Sequence, residues 1–244
     1  EAMGVRDGTH WKQLNANLLQ IENEFYAGIR PKRIGKAGER PAKALQTYGV
    51  EYVEVRLFDL NPFVDIGITP QQGRFADVLL LMCLFRESPP ISSREQSEND
   101  ENKHRVVNRG RQPGLHLAVH NREQPLTPLA HELFDDMQPF AEMLDAAYGG
   151  NDYSTTLAGL RTRILDPDST PSAQVLAGVR EHGGHQAFAL AQAQAHDATL
   201  RANPVSEETL QRFDASVQAS LTQQQALEAA DRGNFEDFVT RYYA

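Results

Sequence analysis

One cysteine and one tryptophan in 244 residues remove whole classes of protein from consideration. A small secreted scaffold held by disulfides needs cysteines in pairs. Cys83 lies in the apolar run Val78-Leu79-Leu80-Leu81-Met82-Cys83-Leu84-Phe85, where it reads as a buried hydrophobe rather than a nucleophile. A reducing cytoplasm is the setting this suggests. No apolar stretch reaches the roughly 20 residues of a membrane-spanning helix, and no charged-then-apolar signal region opens the chain. A soluble protein with no membrane role is therefore expected. Basic residues are the minority, 24 against 33 acidic, for a formal charge of −9. That balance opposes general affinity for nucleic acid or anionic lipid. The phosphate loops GxxxxGK[ST] and GxGxxG are missing, as are the nucleophile elbow GxSxG and any internal repeat.

What is present begins with residues 50–60, VEYVEVRLFDL. Side chains of a strand alternate faces, so this stretch puts Tyr52, Glu54 and Arg56 on one side and Val53, Val55 and Leu57 on the other. The apolar set suits a core. The polar set has two readings: a solvated sheet face with an ion pair, or a metal–phosphate site, in which a carboxylate holds a divalent ion and an Arg fork neutralises phosphoryl oxygens. A cationic island precedes it. Arg30, Lys32, Arg33, Lys36, Arg40 and Lys43 crowd into fourteen positions with Glu39 as the one acid, which points to an anionic ligand.

Along the chain, residues 13–24 alternate polar and apolar with a slip at Leu18-Leu19, the pattern of a bulged strand. Residues 26–49 carry Gly28, Pro31, Gly35, Gly38 and Pro41 and read as a loop, with a short helix at 41–47 stopped by Gly49. Thr69 can cap a helix beginning at Pro70, with Phe75, Val78, Leu79, Met82 and Phe85 at helical spacing as core. Residues 88–103 read as a polar, mobile excursion and 108–113 as a turn. Helices are predicted over 129–147, 153–165, 171–182, 185–202, 206–231 and 235–243, the long one at 206–231 lying on the surface.

Three other clusters have plain explanations. His182 and His185 flank a helix-breaking Gly pair and recur with no Cys or acidic partner at zinc-ligand spacing, so they read as cap residues. Phe235, Phe238 and Tyr242 form a stripe that core packing explains. The acidic run 98–101 reads as solvated loop charge.

The segments QLNANLLQIENEFYAGIRPKR (13–33), GERP (38–41) and GVEYVEVRLFDLNPF (49–63), with PGL at 113–115 and LDPDSTPSAQVL at 165–176, resemble in order and spacing the glutamate–cysteine ligases of the proteobacterial type. The resemblance implies ATP-dependent joining of the γ-carboxylate of glutamate to cysteine through an acyl phosphate, the first step of glutathione synthesis. It implies an α+β fold related to glutamine synthetase: a partial, mostly antiparallel sheet with a helical carboxyl-terminal region. Residues 1–63 would form the strand–basic loop–strand part of the catalytic sheet, and residues 64–244 the helical region in the same domain or packed closely on it.

Carried over by motif, Glu54 resembles a magnesium ligand, Arg56 the phosphate-binding arginine and Tyr26 a wall of the cysteine pocket, though an aromatic core role would also suit Tyr26. Arg30, Lys32 and Arg33 match IRPKR and stand as phosphate or carboxylate contacts. Mg²⁺ and ATP are the implied cofactor and co-substrate, and a monomer is the family expectation. Mg²⁺ usually takes one or two carboxylates per ion, so Glu54 alone cannot build the site.

Glu1 is not an initiator, and the chain is expected to be an excerpt, the family's carboxyl-terminal half. Further metal-binding acids and much of the glutamate pocket would lie in an amino-terminal half. Alone, the chain is expected to be inactive, with an open sheet edge where the missing strands would pair. A non-catalytic fragment that docks on a separate amino-terminal half, and another carboxylate–amine ligase of the same fold, are the rival readings.

Overall fold

The computed structural model describes residues 6–7, 10–11, 17–36 and 38–243. Its described elements are small antiparallel strand pairs and many helices. The strand pairs are β1 (Arg6–Asp7) with β2 (His10–Trp11), β3 (Ile29–Lys32) with β4 (Tyr52–Val55), and β5 (His116–Val119) with β6 (Arg122–Pro125). The α+β expectation thus holds in its coarse form, but the described strands form separate two-stranded pairs rather than one partial sheet. Two compact units emerge: Glu1–Asp59 with Pro204–Ala244, and Leu60–Asn203.

In the first unit, most of the predicted 13–24 strand is replaced. Residues 12–16 lie outside the described residues, 17–21 form bends, and Glu22–Glu24 is a 3-10 turn. β4 pairs instead with β3, inside the stretch read as loop. Pro31 is tolerated in this ladder because it faces Val53 at a non-hydrogen-bonded pair, where its missing N–H would point away from β4. β3 is followed by α1 (Pro41–Tyr48), which starts on Pro41 and stops at Gly49, φ 75°. Val53 and Leu57 are 44 % and 56 % exposed. The apolar face predicted to meet a core is therefore largely uncovered among the described residues. The same unit carries α8 (Glu207–Ala230), which buries no residue, and α9 (Phe235–Tyr243). Surface placement of the long helix is borne out. On α9, Phe235 and Phe238 are half exposed and Val239 is the buried residue, so the aromatic stripe stacks on itself, Phe238 lying 5.9 Å from Tyr242, rather than forming a core.

The second unit is built on α2 (Pro70–Phe85), α4 (Leu126–Tyr148) and α5 (Asp152–Leu165). Thr69 caps α2 as predicted, in a reciprocal capping box with Gln72. Spacings of four place Val78 and Met82 of α2 against Met137 and Ala141 of α4, with Leu157 of α5 closing the cluster. Cys83 falls on the opposite face and is exposed, which overturns its reading as a buried residue. The cause is rotation: Val78 and Met82 define the inward stripe, and Cys83 sits about 100° further round. Asp145, 8 % exposed, accepts from the backbone N–H groups of Tyr153 (2.8 Å) and Ser154 (3.0 Å). It caps α5 from outside, because Asn151 makes no side-chain cap.

Residues 88–103 are not an excursion. Ser92 and Glu95 form a capping box that starts α3 (Ser93–Arg109), and α3 docks on the β5–β6 hairpin through polar groups. Asn102 gives its amide to Ala118 O (2.7 Å) and accepts from Ala118 N (2.8 Å), as a neighbouring strand would. Glu98, read as solvated, accepts from Asn121 N at 2.9 Å. The hairpin turns at His120 and Asn121, both at positive φ. Four further predicted helices appear close to their predicted bounds: α5, α6 (Pro171–Glu181), α7 (His185–Ala202) and α9. His182 terminates α6, its ring nitrogen 2.8 Å from Gly178 O. No helix among the described residues is long and apolar enough to cross a membrane.

Met137 is fully buried in this cluster. Met137→Ala is expected to lower unfolding stability by about 2–5 kcal/mol, read as a reduced urea midpoint at unchanged slope.

Candidate functional site

The β3–β4 register pairs Ile29 with Val55, Arg30 with Glu54, Pro31 with Val53 and Lys32 with Tyr52. Arg30, Lys32, Tyr52 and Glu54 therefore share one face. The ladder runs one step past the strand, since Arg56 N donates to Gly28 O at 2.7 Å, and this keeps Arg56 on the Glu54 side. Its Nε donates to Glu54 Oε1. Lys32 Nζ stands 3.2 Å from the other carboxylate oxygen, Glu54 Oε2. Glu54 is thus gripped on both oxygens.

The Arg56 guanidinium holds the Glu54 carboxyl below the usual carboxylate range, against partial desolvation and with help from Lys32. The same contact raises Arg56 further above its already high value. Tyr26 joins the group from the chain entering β3, its ring 5.7 Å from the Arg56 guanidinium carbon.

The remaining cations differ in what they are free to do. Arg33 lies over the Tyr48 ring at 5.5 Å, with its Nε 3.8 Å from Glu51 Oε2 and without a hydrogen bond. Glu51 also accepts from Ile34 N at 3.0 Å and so closes the turn after β3. Arg30 lies 6.0 Å from the Phe25 ring centre and has no ion pair among the described residues. The structure therefore brings Glu54, Arg56, Lys32 and Tyr26 together, leaves Arg30 available beside them, and sets Arg33 apart with Glu51.

A cavity of about 790 Å³ lies next to this face, between residues 17–25, β3 and α1. Arg30 reaches its wall, but Glu54, Arg56 and Tyr26 do not. The charged cluster is an open surface. One positioning contact escaped sequence reasoning: Glu22 of IENEF accepts from Arg40 Nε (2.8 Å) of GERP and from Ala42 N (2.8 Å) just after it, capping α1 and tying two motifs together. Its signal was indirect, a helix starting at Pro41 with Arg40 before it and no capping side chain of its own.

The comparisons with known proteins bear on this geometry. A family profile described as glutamate–cysteine ligase matches residues 1–106, the stretch that contains the cluster. The glutamate–cysteine ligase of Azotobacter vinelandii is 46% identical over 244 residues, covering 100% of this chain and 46% of that protein. The chain is homologous to the glutamate–cysteine ligases. A ligase of the same name from Pseudomonas paraeruginosa is 42% identical over 245 residues and likewise covered to 46%. A crystal structure of glutamate–cysteine ligase from Francisella tularensis in complex with AMP superposes with a TM-score of 0.88 at 32% identity, over 98% of this chain and 47% of that one. A bifunctional glutathione synthetase from Pasteurella multocida, at 22% identity and a TM-score of 0.54, shares the fold over 73% of this chain. The chain spans about half the length of the curated ligases it matches.

Lys32→Met tests the grip on Glu54. With one cation gone, the Glu54 carboxyl is expected to titrate at higher pH than in the parent, yet below an ordinary Glu because Arg56 remains. The folded value is depressed, so the pair's contribution to stability is present above the unfolded Glu pKa of about 4.3 and fades as pH falls through the folded one. Carboxyl carbon NMR across an acid titration reads both; an unmoved Glu54 would remove Lys32 from the cluster.

Proposed function

We propose that the β3–β4 face is part of the site of an ATP-dependent ligase that joins the γ-carboxylate of glutamate to the amino group of cysteine. The observation that carries the reading is one carboxylate, Glu54, set among Arg56, Lys32 and Arg30 on a single strand-pair face, within the region of the family match. Transfer of a phosphoryl group to a carboxylate brings two anions together, and fixed cations lower that repulsion as charge moves to the oxygens. Arg56 supplies the fork. Its planar donors can release Glu54 or share it while they bind phosphoryl oxygens. Tyr26, against the guanidinium, is assigned to the cysteine pocket, and Arg30, with no carboxylate of its own, to a phosphate or substrate carboxylate. The fold assignment is to the glutamine-synthetase-like ligases, with a cytoplasmic monomer as its working form.

Glu54 fits Mg²⁺ as one ligand, since it is an ionised carboxylate at an open face. The described residues offer no cluster of three or more His, Cys, Asp or Glu, so the other ligands would come from phosphates, water and additional chain. When bound, the ion would neutralise phosphoryl oxygens. Lys32 must then yield Glu54 Oε2 or share it.

A second reading has its own support. The chain covers 46% of the length of the Azotobacter vinelandii ligase, and apolar residues on and just after β3–β4 are exposed: Ile29 by 48 %, Val53 by 44 %, Leu57 by 56 %. These suit a fragment that acts only after docking on a polypeptide equivalent to the rest of the ligase.

Two assays test the ligase reading. The 244-residue chain alone is expected to show no glutamate- and cysteine-dependent ATP turnover, whereas co-expression with the matching remainder of a relative should yield γ-glutamylcysteine. Turnover by the chain alone would refute the incomplete-site reading. In the active assembly, Arg56→Lys keeps the charge but loses the fork, and kcat is expected to fall by about 10²-fold; unchanged kinetics would remove Arg56 from the mechanism.

A further inference from the structure

A separate cavity of about 440 Å³ opens in the helical unit between the start of α2, one face of α5 and Pro171 at the start of α6. Its wall is polar, with Arg74, Arg163, Thr156 and Gln71 among its side chains. Arg74 is already neutralised, its Nη2 lying 2.5 Å from Asp152 Oδ2. Arg163 is half-buried and has neither an ion pair nor a side-chain hydrogen bond among the described residues. It stands in the last turn of α5, where the helix dipole favours a cation. That explains why the charge is tolerated, but it gives the five N–H donors nothing to bind.

Two neighbours on the same wall strengthen the case. Thr156 is 5 % exposed as a residue, lines the same wall and makes no side-chain hydrogen bond among the described residues, so its hydroxyl is open to the cavity. Gly159 follows one turn later in the interior of α5, where glycine is a poor helix former. A Cβ placed there would meet nothing within 4 Å, so close packing does not require glycine. Its effect is to keep the cavity open.

We propose that this cavity binds a small oxyanion, a carboxylate or phosphate group, through the Arg163 guanidinium with the Thr156 hydroxyl as a second donor. A guanidinium fork matches the paired oxygens of either group. With Arg74 and Asp152 cancelling each other, the wall keeps one uncompensated positive charge. The volume lies within the range of small-molecule sites. The proposal is independent of the ligase reading, because none of these residues belongs to the β3–β4 cluster.

The test titrates the 244-residue chain, at constant ionic strength, with inorganic phosphate and separately with acetate, followed by calorimetry and by the thermal midpoint. Saturable one-to-one binding of either anion is expected, and the tighter one identifies the group. Arg163→Gln should raise its dissociation constant about tenfold or more. Gly159→Leu should fill the space and abolish binding while the ligand-free midpoint holds or rises. Thr156→Val should weaken binding without lowering that midpoint. Absence of saturable binding by both anions, or binding that Arg163→Gln leaves unchanged, overturns the proposal. If Gly159→Leu fails to fold, the half-exposed Arg163 substitution still decides.

Discussion

Four backbone pairings, from Ile29 with Val55 to Lys32 with Tyr52, hold together everything that carries chemistry in the sheet unit. Because side chains alternate with period two, moving this register by one residue would send Arg30 and Lys32 to the face of Val53 and leave Glu54 beside Ile29 and Pro31. The ladder is a short two-stranded pair, so it has little stability of its own. Contacts around it help to fix it: Glu51 closes the turn after β3, Arg56 N extends the pairing to Gly28, and the Glu54 carboxylate bridges the strands through Lys32. The ionic cluster is therefore a device for register as well as a candidate binding surface.

The two units rest on different physics. In the helical unit, Val78, Met82, Met137, Ala141 and Leu157 leave water almost completely, and hydrophobic burial is the main support. In the sheet unit, Ala44 and Val239 are the buried apolar residues among those described, while Ile34, Val50 and Leu57 are more than half exposed. Scattered apolar residues at a surface are ordinary, but so many around one short ladder exceed what a self-contained domain needs to show. Relatives about twice as long have additional chain that could cover such a surface.

Legibility followed the same division. Helices were readable where an apolar stripe met a cap, as at Thr69 with Phe75, Val78 and Met82, because periodicity and capping report the same boundary. α3 is hidden from the sequence because it is polar from Ser93 to Arg105; its support lies in Ser92–Glu95 capping and in Asn102 serving as a strand edge for Ala118, and only the first of these is local in sequence. β3 was hidden by Gly28, Pro31 and Gly35, which signal a loop, while its pairing with β4 is a tertiary fact. The hairpin at His120-Asn121 lacked the glycine that usually marks such turns. At the site, the Glu54–Arg56 spacing could be read directly. That Lys32 takes the second oxygen of Glu54, that Arg33 turns to Glu51, and that Glu22 caps α1 all depended on register and long-range contacts.

Charge decides what this surface can contribute to the proposed reaction. Arg30, Lys32, Arg33 and Arg56 face two carboxylates, Glu51 and Glu54, and both acids are engaged by these same residues or by backbone. The balance favours receiving anions over holding a divalent cation, which usually needs more than one free oxygen ligand from the protein or substrate. An incoming polyphosphate changes this, because its oxygens can take over the guanidinium and ammonium contacts and free Glu54 for a cation that the same phosphates bind. Phosphate and cation binding would then be coupled through one carboxylate, with Lys32 and Arg56 holding it in place until both ligands arrive.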